Sequence, residues 1–338
     1  MIRKLIASAA IATSLMVGGV AKAEMTFKPL EGDPQEIVFG IISTESTSNL
    51  KEQWLPLMSD MEKTLGKKVK AFFAPDYAGV IEAMRFGKVH LAWFGNKSAI
   101  EAVDRSGGEV FVQTSKADGS QGYYSHIITN VANKDINSLK DIFKCDKSLN
   151  FGIGDPNSTS GFLVPSYYVF AQNNVDPKEC FKTVRNANHE TNLMATANKQ
   201  VDVAANNSEQ IGRSKLKAPE AAAKIKVIWT SPLIPSDPMV YRKDLSKELK
   251  SQIKAFFLGY GRIGDVAGAR KVLSGISDGQ GLFMESNNTQ LYPVRQLALF
   301  KNKLKIESNA EIGETDKKPM LEAINKKLSD LAILASHK

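Results

Sequence analysis

A chain of 338 residues is longer than one compact core usually serves, and two lobes accommodate it comfortably. The 44 Lys and Arg outnumber the 36 Asp and Glu, and the formal net charge of +8 is spread along the chain with no dense basic block to grip nucleic acid. Four scattered histidines without ligand spacing, and no C-x-x-C or H-E-x-x-H, leave no metal set and no cofactor signature.

In chain order, Arg3 and Lys4 precede an apolar stretch, 5–20, that is too short and too rich in small residues for a membrane span. Ala21, Lys22 and Ala23 offer small residues for signal peptidase, so residues 1–23 read as a Sec signal peptide and the mature chain starts at Glu24. No cysteine lies near that junction, which argues against a lipoprotein. The expected location is the periplasm, with a retained N-terminal anchor as the alternative.

Residues 36–42 form a near-continuous apolar run, the mark of a buried parallel strand. A polar turn, 43–48, leads to a helix with Leu50, Trp54, Leu57, Met58, Met61 and Leu65 on one stripe, stopped by Gly66. Strands over 68–74 and 89–94 follow, each feeding a helix, through Pro75-Asp76 and Gly95-Asn96. This repetition predicts a doubly wound α/β sheet, whose ligands bind at the carboxyl ends of the strands. After a further strand over 110–115, a Gly/Ser/Asp-rich connector (116–122) introduces a second strand set at 126–132, 149–153, 182–185, 201–205 and 225–229. Pro232, Pro235 and Pro238 then stiffen a second connector, 230–238, before a strand at 239–241 and a helix over 246–258. The expected division is 24–120 as the first part of lobe one, 121–231 as lobe two, 232–300 as the return to lobe one, and 301–338 as a C-terminal helical segment. Signals over 262–314 are patchy; the last helix has Pro319 at its start and Leu321, Ile324, Leu328 and Leu331 on one stripe.

The 149–153 strand runs into Gly154-Asp155-Pro156-Asn157-Ser158-Thr159-Ser160-Gly161, and a helix is predicted over 161–171. Ser158 is a natural N-cap, and a helix N-terminus with three adjacent hydroxyls suits a tetrahedral oxyanion; a well-capped corner is the plain alternative. Gly152 and Gly154 fall short of a dinucleotide fingerprint because Asn157 stands where its third glycine belongs. S-x-x-K pairs at Ser48/Lys51, Ser214/Lys217 and Ser251/Lys254 sit on predicted helices and read as chance. Tyr77, Tyr123, Tyr124, His189, Glu190, Glu209 and Asp237 all fall at predicted strand ends or connectors, where each also has an ordinary role as core, cap or turn residue. Two acids among cleft positions make better sense if an anionic ligand also carries a cation. Cys145 and Cys180 flank one strand–helix unit at the same end of its sheet, so a disulfide is reasonable, with two free thiols as the alternative.

Asp76-Tyr77-Ala78-Gly79, Trp93-Phe94-Gly95-Asn96, the segment Gly154 to Phe162 and His189-Glu190-Thr191-Asn192 together resemble the periplasmic phosphonate-binding proteins of ABC-type phosphonate importers. Phe39 to Ser46, Ser231 to Pro235 and Pro293 to Phe300 look similar too, so the resemblance runs from about 36 to 300 and is less distinct over 301–338. It implies a two-lobed, type II-like periplasmic binding protein whose hinge closes on a phosphonate and which delivers it to an inner-membrane permease, not an enzyme. It further implies phosphonate contacts from Ser158, Thr159, Ser160, His189, Tyr77 and Tyr123. Members that take 2-aminoethylphosphonate hold its ammonium with two carboxylates, matching Glu209 and Asp237. Phe94 stands where relatives often carry Tyr and, with Asn96, is a further cleft position; Tyr124 stands where some carry Trp. Methylphosphonate, phosphite and phosphate are the alternative ligands, and an exported sensor domain is the alternative role.

Overall fold

The computed structural model describes residues 27–277 and 279–336; the expected export segment, with its expected cleavage point after Ala23, lies outside the described residues. Eleven strands follow in order: β1 (Ile37–Ile41), β2 (Val69–Phe73), β3 (Leu91–Trp93), β4 (Gly108–Gln113), β5 (Ser125–Asn130), β6 (Asn150–Ile153), β7 (Thr183–Asn186), β8 (Val203–Asn207), β9 (Ile225–Thr230), β10 (Pro238–Arg242) and β11 (Met284–Glu285). They divide into a six-stranded sheet ordered β11-β4-β10-β3-β1-β2 and a five-stranded sheet ordered β7-β6-β8-β5-β9, one per lobe.

Each sheet is mixed. β1 pairs in parallel with β2 and β3, and β6 with β7 and β8, as strand–helix–strand repeats require. The antiparallel members are the edge strand β11, beside β4, together with β10, between β3 and β4, and β5, between β8 and β9. β5 and β10 are the strands entered from the crossing segments. Each crossing is therefore anchored inside a sheet, so the lobes hang from rigid elements.

Apolar spacing builds the core of lobe one. Leu50, Trp54, Leu57, Met58 and Met61 of the helix Thr47–Leu65 are buried, and Gly66 ends that helix at φ 61°. Trp54 meets Phe39 at 5.9 Å and Trp93 at 5.0 Å between ring centroids. Each such side chain, fully buried, contributes roughly 1.5–3 kcal/mol. Lobe two closes around Phe151, Phe170 and Phe181, and Cys145 is disulfide-bonded to Cys180 beside them.

Three expectations need correction. The helix predicted over 161–171 is instead two wide π turns, Thr159–Leu163 and Ser166–Phe170, closed by a tight turn at Ala171–Asn173. Pro165 has no N–H to give to the Gly161 carbonyl, and that carbonyl accepts the Gly154 N–H at 2.8 Å instead. The close approach demands glycine, since a Cβ on Gly154 would lie 2.6 Å from the Gly161 backbone. Second, the last helix, Glu314–Ser336, starts before Pro319; Glu314 and Asp316 in its first turn complement the dipole there. Third, the patchy stretch 262–314 contains two helices, Val266–Ile276 and Tyr292–Ser308. The latter touches both lobes: Arg295 pairs with Asp104 at 2.5 Å, and Lys301 lies over the Phe162 ring at 5.8 Å.

Candidate functional site

The wide turn at Thr159–Leu163 sets out the three hydroxyls. Ser158 caps it, its Oγ accepting the Gly161 N–H at 3.0 Å. Ser160 Oγ accepts Asn207 Nδ2 at 3.0 Å, and His189 Nε2 lies 3.4 Å from Ser158 Oγ and 3.5 Å from Ser160 Oγ. The Asn207 amide has one orientation, because its Oδ1 caps the helix Ser208–Lys217 by accepting Gln210 N–H at 2.7 Å. Its Nδ2 therefore donates to His189 Nε2, at 3.2 Å, which puts the imidazole proton on Nδ1. Burial, with help from the nearby Arg213 charge, pulls the His189 pKa down to about 3, so the ring is neutral and its Nε2 is an acceptor. That buried Nδ1 has no hydrogen-bond partner.

The tyrosines close over this loop from the other side. Tyr77 opens the helix Tyr77–Arg85, and its backbone N–H donates to Asp155 Oδ2 across the cleft at 3.2 Å. Its phenol lies beside Ser158, and burial followed by the Asp155 charge raises its pKa, so it stays a donor. Tyr123 lies between Ser160 and Asp237, and burial raises its pKa well above the ordinary value too.

Tyr123 and Asn207 are shared with a cavity of about 50 Å³. Glu209, Asp237, Arg213 and Lys116 also line it. That is space for roughly three to five water-sized groups at 10–15 Å³ each. Burial, then repulsion from Glu209, pushes the Asp237 pKa up to about 7. Thr44 Oγ1, Trp54 Nε1, Trp93 Nε1 and Asp237 Oδ1, all on lining residues, are buried without a partner. Orphaned polar atoms are rare in folded proteins, and four around one cavity mark a place that receives a polar ligand.

Contacts across the cleft hold the lobes together. Glu45 of lobe one forms a buried ion pair with Arg213 of lobe two. Glu190 of lobe two accepts the Ser46 N–H at 2.6 Å and Asn49 Nδ2 at 2.7 Å, at the N-terminus of a lobe-one helix. Thr159 Oγ1 accepts the Lys97 N–H at 2.9 Å.

The expected residues Ser158, Thr159, Ser160, His189, Tyr77 and Tyr123 thus gather at one end of the cleft, with Glu209 and Asp237 at the other. Two expected cleft positions do not join them. Phe94 lies in the lobe-one core, because strand alternation turns its neighbour Trp93 to the cavity instead. Asn96 is spent on the second connector: its Nδ2 donates to Pro235 O at 2.7 Å and its Oδ1 accepts from Gln290 at 3.1 Å. Glu209 faces the cavity but is already engaged, by Lys116 and by the Ser277 hydroxyl at 2.6 Å. Sequence reasoning missed Arg213, Asn207, Glu45 and Lys116. Glu209 and Arg213 lie four residues apart on one helix face, a spacing that could have flagged Arg213.

A family model described as "ABC transporter, phosphonate, periplasmic substrate-binding protein" matches residues 39–289. The Escherichia coli (strain K12) phosphonates-binding periplasmic protein is 51% identical over 326 residues, covering 96% of this chain and 94% of that protein. A binding-protein component of an ABC phosphonate transporter from Pseudomonas aeruginosa superposes with a TM-score of 0.86 at 51% identity, over 90% of this chain and 99% of that one. A Prochlorococcus marinus protein solved in complex with methylphosphonate gives a TM-score of 0.69 at 22% identity, over 80% and 99%, a likeness of fold alone.

Proposed function

The chain belongs to the periplasmic substrate-binding proteins of ABC-type phosphonate transporters, and we propose that its ligand is a phosphonate with an ammonium tail, 2-aminoethylphosphonate above all. The family is one of transport proteins, not enzymes, and its role implies a small-molecule ligand and a membrane permease partner. The observation that carries the ligand assignment is the pairing of opposite chemistries in one cleft. Hydroxyls and tyrosines offer donors to an oxyanion beside a neutral histidine, while Glu209 and Asp237 line the adjoining cavity. Acids beside the site offer a bare oxyanion nothing, whereas an ammonium two carbons away would be held by them.

In this reading Ser158, Thr159, Ser160, His189, Tyr77 and Tyr123 take the phosphonate, and the lobes 24–120 with 232–300, and 121–231, close on it about the two connectors. Residues 1–23 act as the export signal, which N-terminal sequencing of the exported protein would check. Calorimetric titration of Glu209→Gln and Asp237→Asn tests the ligand. Each change should weaken 2-aminoethylphosphonate binding by about 2–5 kcal/mol, as expected for breaking a desolvated charge contact. Methylphosphonate binding should stay equal or improve. Equal losses for both ligands would make the acids structural.

A further inference from the structure

Lys116 lines the cavity, and none of the expected ligand contacts explains its role. Its backbone is fixed in the first connector: its N–H donates to Ser120 O at 2.8 Å, its carbonyl accepts Gly119 N–H at 2.9 Å, and it bridges to Gln280. A Cβ on Gly281 would lie 2.1 Å from its carbonyl oxygen, so the lobe-one loop packs hard against this point. From that fixed base the side chain crosses the cleft and its ammonium meets Glu209 Oε1, while Ser277 occupies Oε2. Both charged groups are mostly shielded, with side chains 28% and 19% exposed. Asp237, in contrast, keeps a buried oxygen without a partner in the same cavity.

We propose that Lys116 is a specificity-determining residue that competes with the ligand's ammonium for Glu209 and so sets how strongly the cleft separates amino-tailed from uncharged-tail phosphonates. The inference rests on the phosphonate reading above. Lys116 neutralises one of the two acids before any ligand arrives. An uncharged tail then faces a single uncompensated carboxylate rather than two, and an ammonium tail finds Glu209 already shared. Removing the lysine charge leaves two acids facing the tail, which penalises the first ligand and rewards the second. A bridge that merely held the lobes together would act on both ligands alike.

The test is titration of the full chain and of Lys116→Met with 2-aminoethylphosphonate and with methylphosphonate, at fixed pH and salt. Methionine keeps the length of the stem and drops the charge. The ratio of the methylphosphonate Kd to the 2-aminoethylphosphonate Kd should rise roughly 10- to 100-fold, the range for one charge a few ångströms away in a partly screened site. Lys116→Arg should leave the ratio near that of the unaltered protein, and Lys116→Gln supplies a second neutral variant should the methionine fold poorly. An unchanged ratio, with both affinities lowered equally, would overturn the inference while leaving phosphonate binding intact. If the unaltered chain bound neither phosphonate, the functional reading itself would fail, and this inference with it.

Discussion

Asp237 is the residue whose charge the ligand should control. Its folded pKa of about 7 lies above the unfolded carboxylate value, so in the absence of a cation the folded state holds the proton more tightly. The sign follows: Asp237 favours folding at low pH, and that contribution is lost as pH rises through the unfolded value toward 7. An ammonium ligand reverses the preference, because it needs the ionised form. The affinity for 2-aminoethylphosphonate relative to methylphosphonate should therefore climb from pH 5 to about 7, by at most tenfold per unit, and then level off. The same ratio measured in Asp237→Asn carries the ligands' own ionisations, so Asp237 is read from the difference between the two profiles; an unaltered protein whose ratio climbs no more steeply than the variant's would remove Asp237 from the tail site. At this scale the sequence was most informative where the site residues are consecutive, as in Ser158, Thr159 and Ser160. Arg213 with Glu45, and Lys116 with Glu209, meet only when distant segments pack, and nothing local announces such pairs. Phe94 was misplaced because the strand ends at Trp93, and one residue of alternation decides which ring faces the cavity.

The element that shapes the anion end is the wide turn after β6. A regular helix would have sent the Gly161 carbonyl to its fourth neighbour; Pro165 forbids that, and Gly154 takes the carbonyl instead. The strand, the turn and the cap at Ser158 were legible from apolar runs and turn residues. The widening was not, because it depends on a contact between two loop glycines. Replacing both Ser158 and Thr159 by alanine should weaken phosphonate binding by roughly 2–4 kcal/mol, counting each lost bond to a charged group at about 1.5–3 and discounting for non-additivity. Fold stability should drop by only about 1 kcal/mol for the missing cap. Titration alongside thermal unfolding separates the two effects. Unchanged affinity in the folded double variant would return these hydroxyls to a capping role.

At the scale of the whole molecule, two mixed sheets are joined by crossing segments that end in β5 and β10, and contacts spanning the cleft hold the closed form. The two-lobed arrangement was legible because connector composition changes sharply at 116–122 and 230–238. The antiparallel placement of the crossing strands was not, since an apolar run carries no direction. Glu190 is the cleanest probe of closure, as it grips a lobe-one helix N-terminus without lining the cavity. Glu190→Gln should lower the affinity for every phosphonate by one common factor, about 1–3 kcal/mol for hydrogen bonds to a charged group. A change that discriminated between ligands would instead place Glu190 in the tail site. The most direct measurement is calorimetric titration of the unaltered protein with 2-aminoethylphosphonate, methylphosphonate, phosphite and phosphate at one pH and ionic strength. Tightest binding of 2-aminoethylphosphonate, at one site per chain, is the predicted result. Preference for methylphosphonate or phosphate would contradict the assignment of an ammonium-tailed ligand.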